Sequence, residues 1–279
     1  MDNPPVKKRF SFGTYPCGIR KVAACFLLGL SFALFSVSGM GEEAKKPQEP
    51  DLPESDGDRI RLDFRFSSQN GKSVTGGWHY QGKPFTRDID FSVVELDGKK
   101  VLKVASRKSS GTILYDLSTI DLEKYPLMRW KWMAVRLPEG ACATDPGKDD
   151  QVLAVCAGAG LPRTNSVAFR WETTTPRGQA GSARYGLGMV LVNWIAMRNQ
   201  EDKLNTWYVE EVNLLEHLKK LFPKGIPKTD LALSITGNSQ YTGTESLGYI
   251  EYLEFLPASR KGQFDKGGKT ISLSRKGEK

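Results

Sequence analysis

Residues 127–137 read Leu127-Met128-Arg129-Trp130-Lys131-Trp132-Met133-Ala134-Val135-Arg136-Leu137. Apolar and charged side chains alternate through its centre. Side chains two apart share one face of a β-strand but lie on nearly opposite sides of a helix. The stretch therefore predicts a strand with Met128, Trp130, Trp132 and Ala134 on one face and Arg129 and Lys131 on the other. Two tryptophans on one face admit two readings, core of a sandwich or stacking platform for sugar rings. Met128 and Ala134 share that face, which favours the core.

The same period of two recurs outward from this strand. Ile60, Leu62, Phe64 and Phe66 alternate with polar residues, as do Val167, Phe169 and Trp171 within 166–172. Val190, Val192 and Trp194 do so within 186–195, and Leu231, Leu233 and Ile235 within 230–236. Further strand-like runs are 91–96, 100–106, 112–116, 151–157, 205–212 and 246–256, separated by turn signals such as Asp97-Gly98 and Pro138-Glu139-Gly140. The expectation is an all-β sandwich or barrel of about eleven strands. One helix is expected after Asn213, with Glu216 at the capping-box position, an apolar stripe of Leu214, Leu215, Leu218, Leu221 and Phe222, and a stop at Pro223.

The chain has 279 residues and a formal net charge of +8. Residues 1–41 carry a net +4 and residues 257–279 a net +5, so residues 42–256 sit at −1. A basic composition argues for nucleic acid only where the charge gathers on a folded face. No nucleic-acid partner is expected here.

The N-terminus follows the order of a secretory signal. Lys7-Lys8-Arg9 and Arg20-Lys21 precede an uncharged, mostly apolar run from Val22 to Val37, then small residues and Glu42-Glu43. The division expected is a signal peptide over 1–41, a disordered linker over 42–58, the β-sandwich domain over 59–256 and a flexible basic tail over 257–279. Localisation is then periplasmic or secreted, with membrane contact only through the signal segment if it stays uncleaved. Cys17 and Cys25 fall in the signal, leaving Cys142 and Cys156. Two cysteines in an exported domain suggest a disulfide. The competing reading makes Cys156 a small buried hydrophobe and Cys142 a loop thiol.

Chemistry-bearing motifs are sparse. The sequence contains no H-E-x-x-H, G-x-S-x-G, Walker loop or C-x-x-C, and no cofactor or metal is expected. His79 lies in a Gly- and aromatic-rich turn, and His217 on the flank of the helix stripe, where it reads as surface. Asp145–Asp150 (DPGKDD) reads either as a Ca²⁺ loop or, preferably, as a solvated turn. The faces opposite the apolar stripes hold more. Arg129, Lys131, Arg170, Glu172, Asn193 and Glu211, with Trp207 beside them, would form a polar sheet face suited to a glycan or other envelope polymer, without catalytic residues. The competing reading is a solvated face of cross-strand ion pairs. An enzyme alternative, a polysaccharide lyase or hydrolase on a concave sheet, would rest on Arg170 with Tyr185 or Tyr208 as base. A structural envelope role is the third.

Four segments carry a family resemblance: residues 125–137, Lys148-Asp149-Asp150 leading into an apolar strand, 206–222 and 231–255. Their order resembles an exported bacterial family, the domain-of-unknown-function family 3047, over roughly residues 60–256. The resemblance implies a jelly-roll sandwich similar to carbohydrate-binding and galactose-binding-like domains, and no established activity. Family members tend to carry an Asp- and Asn-rich segment where this chain has Thr236–Thr242, so neither a cation role nor a polar-ligand role is expected for that loop here.

Overall fold

The computed structural model describes residues 54–55, 58–62, 64, 77–82, 86–160 and 163–264. The expected signal peptide, most of the expected linker and residues 265–279 lie outside these. Among the described residues are fourteen strands, or thirteen without the two-residue β1. They are β1 (Glu54–Ser55), β2 (Ile60–Leu62), β3 (Trp78–Gly82), β4 (Asp90–Leu96), β5 (Lys99–Arg107), β6 (Ser110–Asp116), β7 (Leu127–Arg136), β8 (Gln151–Ala159), β9 (Thr164–Trp171), β10 (Ala180–Tyr185), β11 (Val190–Arg198), β12 (Tyr208–Asn213), β13 (Ala232–Asn238) and β14 (Glu245–Leu256). The helix α1 spans Leu214–Leu221. No helix among the described residues is long and apolar enough to cross a membrane.

The strands form two seven-stranded sheets packed face to face, a jelly-roll β-sandwich. In the first, β12 pairs β7 and β7 pairs β14. The other edge of β14 is shared by β5 and β2, which continue to β4 and β1. The second sheet runs β10-β11-β9-β8-β13-β6-β3. All pairings are antiparallel except β9 with β11.

Three strands escape the alternation rule. β1 has two residues, β3 lies in the Gly- and aromatic-rich segment read as a turn, and β10 (AGSARY) has no apolar alternation because it is an edge strand. β11 inverts it. Trp194 is level with Ala168 and Val192 with Ser166, whereas Asn193 is level with the core residue Val167. Trp194 thus faces away from the sandwich interior and Asn193 toward it. Apolar residues on both faces of this strand (Leu191 and Ile195 besides Val192 and Trp194) hide its true orientation.

Trp130 and Trp132 are fully buried core residues. Trp130 packs on Phe169 and Trp132 on Trp171, at centroid distances of 5.6 and 5.4 Å. These pairs join β7 of one sheet to β9 of the other. Helix α1 closes one end. Asn213 accepts from the Glu216 amide at 3.1 Å and donates to its carboxylate at 3.0 Å, while Leu214, Leu215 and Leu218 are buried. His217 is half-buried against the edge of Phe169 at 5.1 Å rather than on the surface, and burial lowers its pKa.

The expected Cys142–Cys156 disulfide is not formed; both thiols are free. The Cys142 amide donates to the carbonyl of Lys148, just before β8, while Cys156 sits midway along that strand. The Cys142 thiol lies 3.1 Å from the Thr144 hydroxyl, while Cys156 is buried in the sheet among Ala154, Ala168 and Trp194, so each thiol has its own surroundings.

Candidate functional site

The outer face of the second sheet is hollow. Rows of side chains cross it from strand to strand: Thr112, Thr236, Ala154 and Arg170; then Leu114, Ser234, Cys156, Ala168 and Trp194; then Ala232, Gly158, Ser166 and Val192. The central strands β8 and β9 contribute mainly Ala, Cys, Gly and Ser, so the floor is low in the middle. A side chain at Gly158 has no space, since a Cβ there would meet Ser166 Cβ at 2.4 Å and Asn165 O at 2.5 Å. The result is a groove of about 350 Å³ lined by hydroxyls, three amides (Gln81, Gln151 and Asn238) and small apolar groups, with Arg170 as its single cationic side chain among the described residues.

One end of the groove is built around Arg170. Its Nη2 donates to Asp149 Oδ1 and to Gln151 Oε1, both at 2.7 Å, and its Nε lies 2.6 Å from Glu172 Oε1. All three charged side chains are at most 3% exposed. Burial alone would lower the Arg170 pKa, but the Glu172 and Asp149 carboxylates outweigh it and hold the guanidinium charged. Burial pushes Glu172 up to about 7 against the opposing pull of Arg170. Thr175 donates to its other oxygen at 3.2 Å. Tyr185, from the end of β10, donates to Asp149 Oδ2. Burial first, and then the Asp149 charge, raise the Tyr185 pKa.

The 145–150 loop, read as a solvated turn, is the anchor of this cluster. Asp149 and Asp150 are 3% and 0% exposed. Asp150 accepts from the amides of Tyr241 and Thr242 at 3.2 and 2.7 Å and from the Thr242 hydroxyl at 2.8 Å. Asn238 donates to the Asp149 carbonyl at 3.2 Å. The 238–242 segment thus holds the acidic loop in place, with Tyr241 39% exposed beside it.

The residues expected to share one polar face do not share it. Arg170 lines the groove, and the fully buried Glu172 pairs with it. Asn193 is turned inward, donating to Asn165 Oδ1 at 3.0 Å and to the Ser166 carbonyl at 3.2 Å. Arg129, Lys131, Trp207 and Glu211 lie with the other sheet. There Arg129 Nη2 meets Glu211 Oε2 at 2.6 Å and Nη1 meets Glu254 at 3.5 Å. Lys131 pairs with Glu251 at 2.6 Å and lies 5.5 Å from the Trp207 ring centre. This is the network of cross-strand ion pairs that was the competing reading. Residues 257–264, read as the start of a flexible tail, cover part of it. Phe264 stacks 4.5 Å from the Arg129 guanidinium and the Gly262 amide donates to Glu211 at 2.9 Å. Tyr208, the other candidate base, lies away from Arg170: its ring packs on Trp171 and lies 3.7 Å from the Arg198 guanidinium, and its hydroxyl accepts from the Lys203 amide at 3.1 Å. His79 is exposed on the edge strand β3.

Asp149, Gln151 and Asn238 escape a reading by strand faces, because their partners come from other parts of the chain. The one local signal is an acidic pair running directly into an apolar strand at Asp149-Asp150-Gln151-Val152.

Fold and groove together define a jelly-roll β-sandwich with a polar trough on one outer face. The chain belongs to the family described as "Protein of unknown function (DUF3047)", whose model matches residues 77–254. No curated protein matches it in sequence. Among solved structures it is similar to the family 11 carbohydrate-binding module of the cellulosomal cellulase Lic26A-Cel5E of Clostridium thermocellum, at 6% identity and a TM-score of 0.35 over 65% of this chain and 88% of that one. It is also similar to endoglucanase 3 from family GH12 of Trichoderma harzianum, at 11% identity and 0.32 over 72% and 98%. A third is the xyloglucanase domain of NopAA, a type three effector from Sinorhizobium fredii in complex with cellobiose, at 10% identity and 0.29 over 64% and 96%. Likeness of this degree carries no argument about activity.

Proposed function

We propose that this protein is an exported, non-catalytic module that binds a neutral saccharide, or a similarly hydroxyl-rich envelope polymer, in the groove of the second sheet. The observation that carries the reading is the lining. Ser166, Ser234, Thr112, Thr164, Thr236, Gln81 and Gln151 present donors and acceptors among small apolar groups, the mixture a sugar ring requires. Among the described residues the groove offers no unneutralised cation. Its lining includes no lysine, and Arg170 stands between two carboxylates. An anionic polymer gains nothing there, which also argues against nucleic acid. Export rests on the N-terminal pattern of cations followed by an apolar run.

The lyase reading draws support from one finding, that Arg170 and Tyr185 meet on Asp149. A base, however, needs a pKa near the working pH. Tyr185 is moved the opposite way, and its proton is committed to a carboxylate. A hydrolase needs free carboxylates facing the ligand, whereas Asp149 and Glu172 are both held against Arg170.

The test is an array of neutral and anionic glycans probed with the full chain, with product analysis of the bound sugars. The expected result is retention of neutral glycans without new reducing or unsaturated ends. Retention of anionic glycans alone, of none, or release of products would overturn it.

A further inference from the structure

Tyr185 is paired with Val190, and Val190 is level with Thr164, six residues along β9 from Arg170. On a flat strand those levels are about 20 Å apart. Tyr185 and Arg170 nonetheless hold the same carboxylate. The 141–150 loop lies over the intervening sheet, since Ala143 packs with Ala168, Cys156 and Trp194 on the outer face. That loop and the β10–β11 hairpin therefore meet above one side of the groove, and the Tyr185–Asp149 hydrogen bond joins them.

The two jaws of this roof differ in kind. The loop is pinned by Asn238 on the Asp149 carbonyl, by Asp150 on the 241–242 amides and by Thr175 on the Ala143 amide at 2.9 Å. The hairpin is held on one side only: β11 pairs with β9 from Val190 to Arg198, and the Thr164 amide donates to the Met189 carbonyl at 2.9 Å. β10 is an edge strand with only β11 beside it, and its residues alternate between exposed and half-buried. Its tip, Gly186-Leu187-Gly188, has three consecutive positive φ angles, 57°, 58° and 85°. A non-glycine residue there is strained, and Leu187 is 82% exposed besides.

We infer that β10 with the 186–188 turn is a hinged strap beside the groove, latched by Tyr185 on Asp149, and that it lifts away from β11 to admit a ligand. The inference does not depend on what the groove binds, because the strap is tested without ligand. Cys156 lies in the groove floor and is only 9% exposed. Its alkylation by iodoacetamide, followed by mass spectrometry of its peptide in the full chain, reads the opening. Tyr185→Phe keeps the ring and removes the latch, so Cys156 should label at least tenfold faster at urea concentrations well below the unfolding midpoint, with a rate that does not depend on urea there. A rate within twofold of wild type, or one that climbs with urea as global unfolding does, overturns the strap. Amide hydrogen exchange on the unaltered chain supplies a second measurement. Residues 182–190 should exchange through local opening, at least tenfold faster than residues 152–158. Exchange of both segments at one rate, by global unfolding, contradicts the proposal.

Discussion

Arg170 and Tyr185 share the carboxylate of Asp149, the guanidinium donating to one oxygen and the phenol to the other. The contact binds three parts of the chain distant in sequence into the end of the groove. It also shows what the buried charges do there. They fix the shape of the trough and leave hydroxyls and amides to line it.

The Glu172 carboxyl gives this cluster a pH signature. Its folded pKa, about 7, lies above the ordinary value of 4.5. Between those values the folded chain binds more protons than the unfolded one, so stability falls as pH rises. The contribution is fully present below pH 4.5 and gone above pH 7, up to about 3 kcal/mol at about 1.4 kcal/mol per unit. Urea denaturation from pH 4.5 to 8 should show wild type losing stability relative to Glu172→Gln across this window. Parallel curves for the two proteins would remove the claim.

The two tryptophan positions sort by burial. Trp130→Ala empties a fully buried site against Phe169 and should cost about 3–5 kcal/mol. Trp207→Ala, half-exposed beside Lys131, should cost less than about 1 kcal/mol. Chemical denaturation of both variants checks the pair, and equal losses would refute the assignment of Trp130 and Trp132 to the core.

Much of the sandwich was legible in the sequence. Trp130 with Trp132, and Phe169 with Trp171, each kept strict alternation, and these residues meet across the core. Alternation fails where both faces of a strand are apolar, and there Asn193 and Trp194 exchanged places. The site was legible only in part. Arg170 and Glu172 stand out as charges on a strand face, whereas Asp149 sits in a segment whose composition is that of a turn. Its partner is 21 residues away, and no local pattern reports such a meeting. Arg129 and Lys131 have the same sequence signature as Arg170, yet they face the opposite side of the molecule. Register within a strand fixes a face; which sheet owns the strand depends on long-range pairing.

Gly158 tests the groove floor. A methyl group there meets β9 backbone at Ser166 Cα, 2.7 Å, and Asn165 O, 2.5 Å, neither of which a rotamer change can clear. Gly158→Ala should destabilise the fold by about 1–3 kcal/mol through forced separation of β8 and β9. Gly98→Ala serves as a control for strain alone, since its positive φ is kept but nothing lies within 4 Å of the added carbon. A smaller loss at Gly158 than at Gly98 would contradict the packing described.

The two thiols should behave as separate groups. Denatured without reductant, the protein should titrate both Cys142 and Cys156. In the native state Cys142 should alkylate much the faster. Contact with Thr144 lowers its pKa, while burial raises that of Cys156 to about 11. Loss of both thiols from the unreduced titration would restore the disulfide.

The central claim is that the ligand lies on the outer face of the second sheet. Ser234 stands half-buried in the middle of that face, between Leu114 and Cys156. Ser234→Trp fills the trough, while Trp207→Ala and Lys131→Ala alter the polar patch on the other sheet. The decisive measurement is calorimetric titration of these three variants and wild type with the best glycan from the array. The account predicts at least tenfold weaker binding for Ser234→Trp and binding within twofold of wild type for the other two. Intact binding in Ser234→Trp, with loss in Trp207→Ala or Lys131→Ala, would place the ligand on the opposite sheet and contradict it.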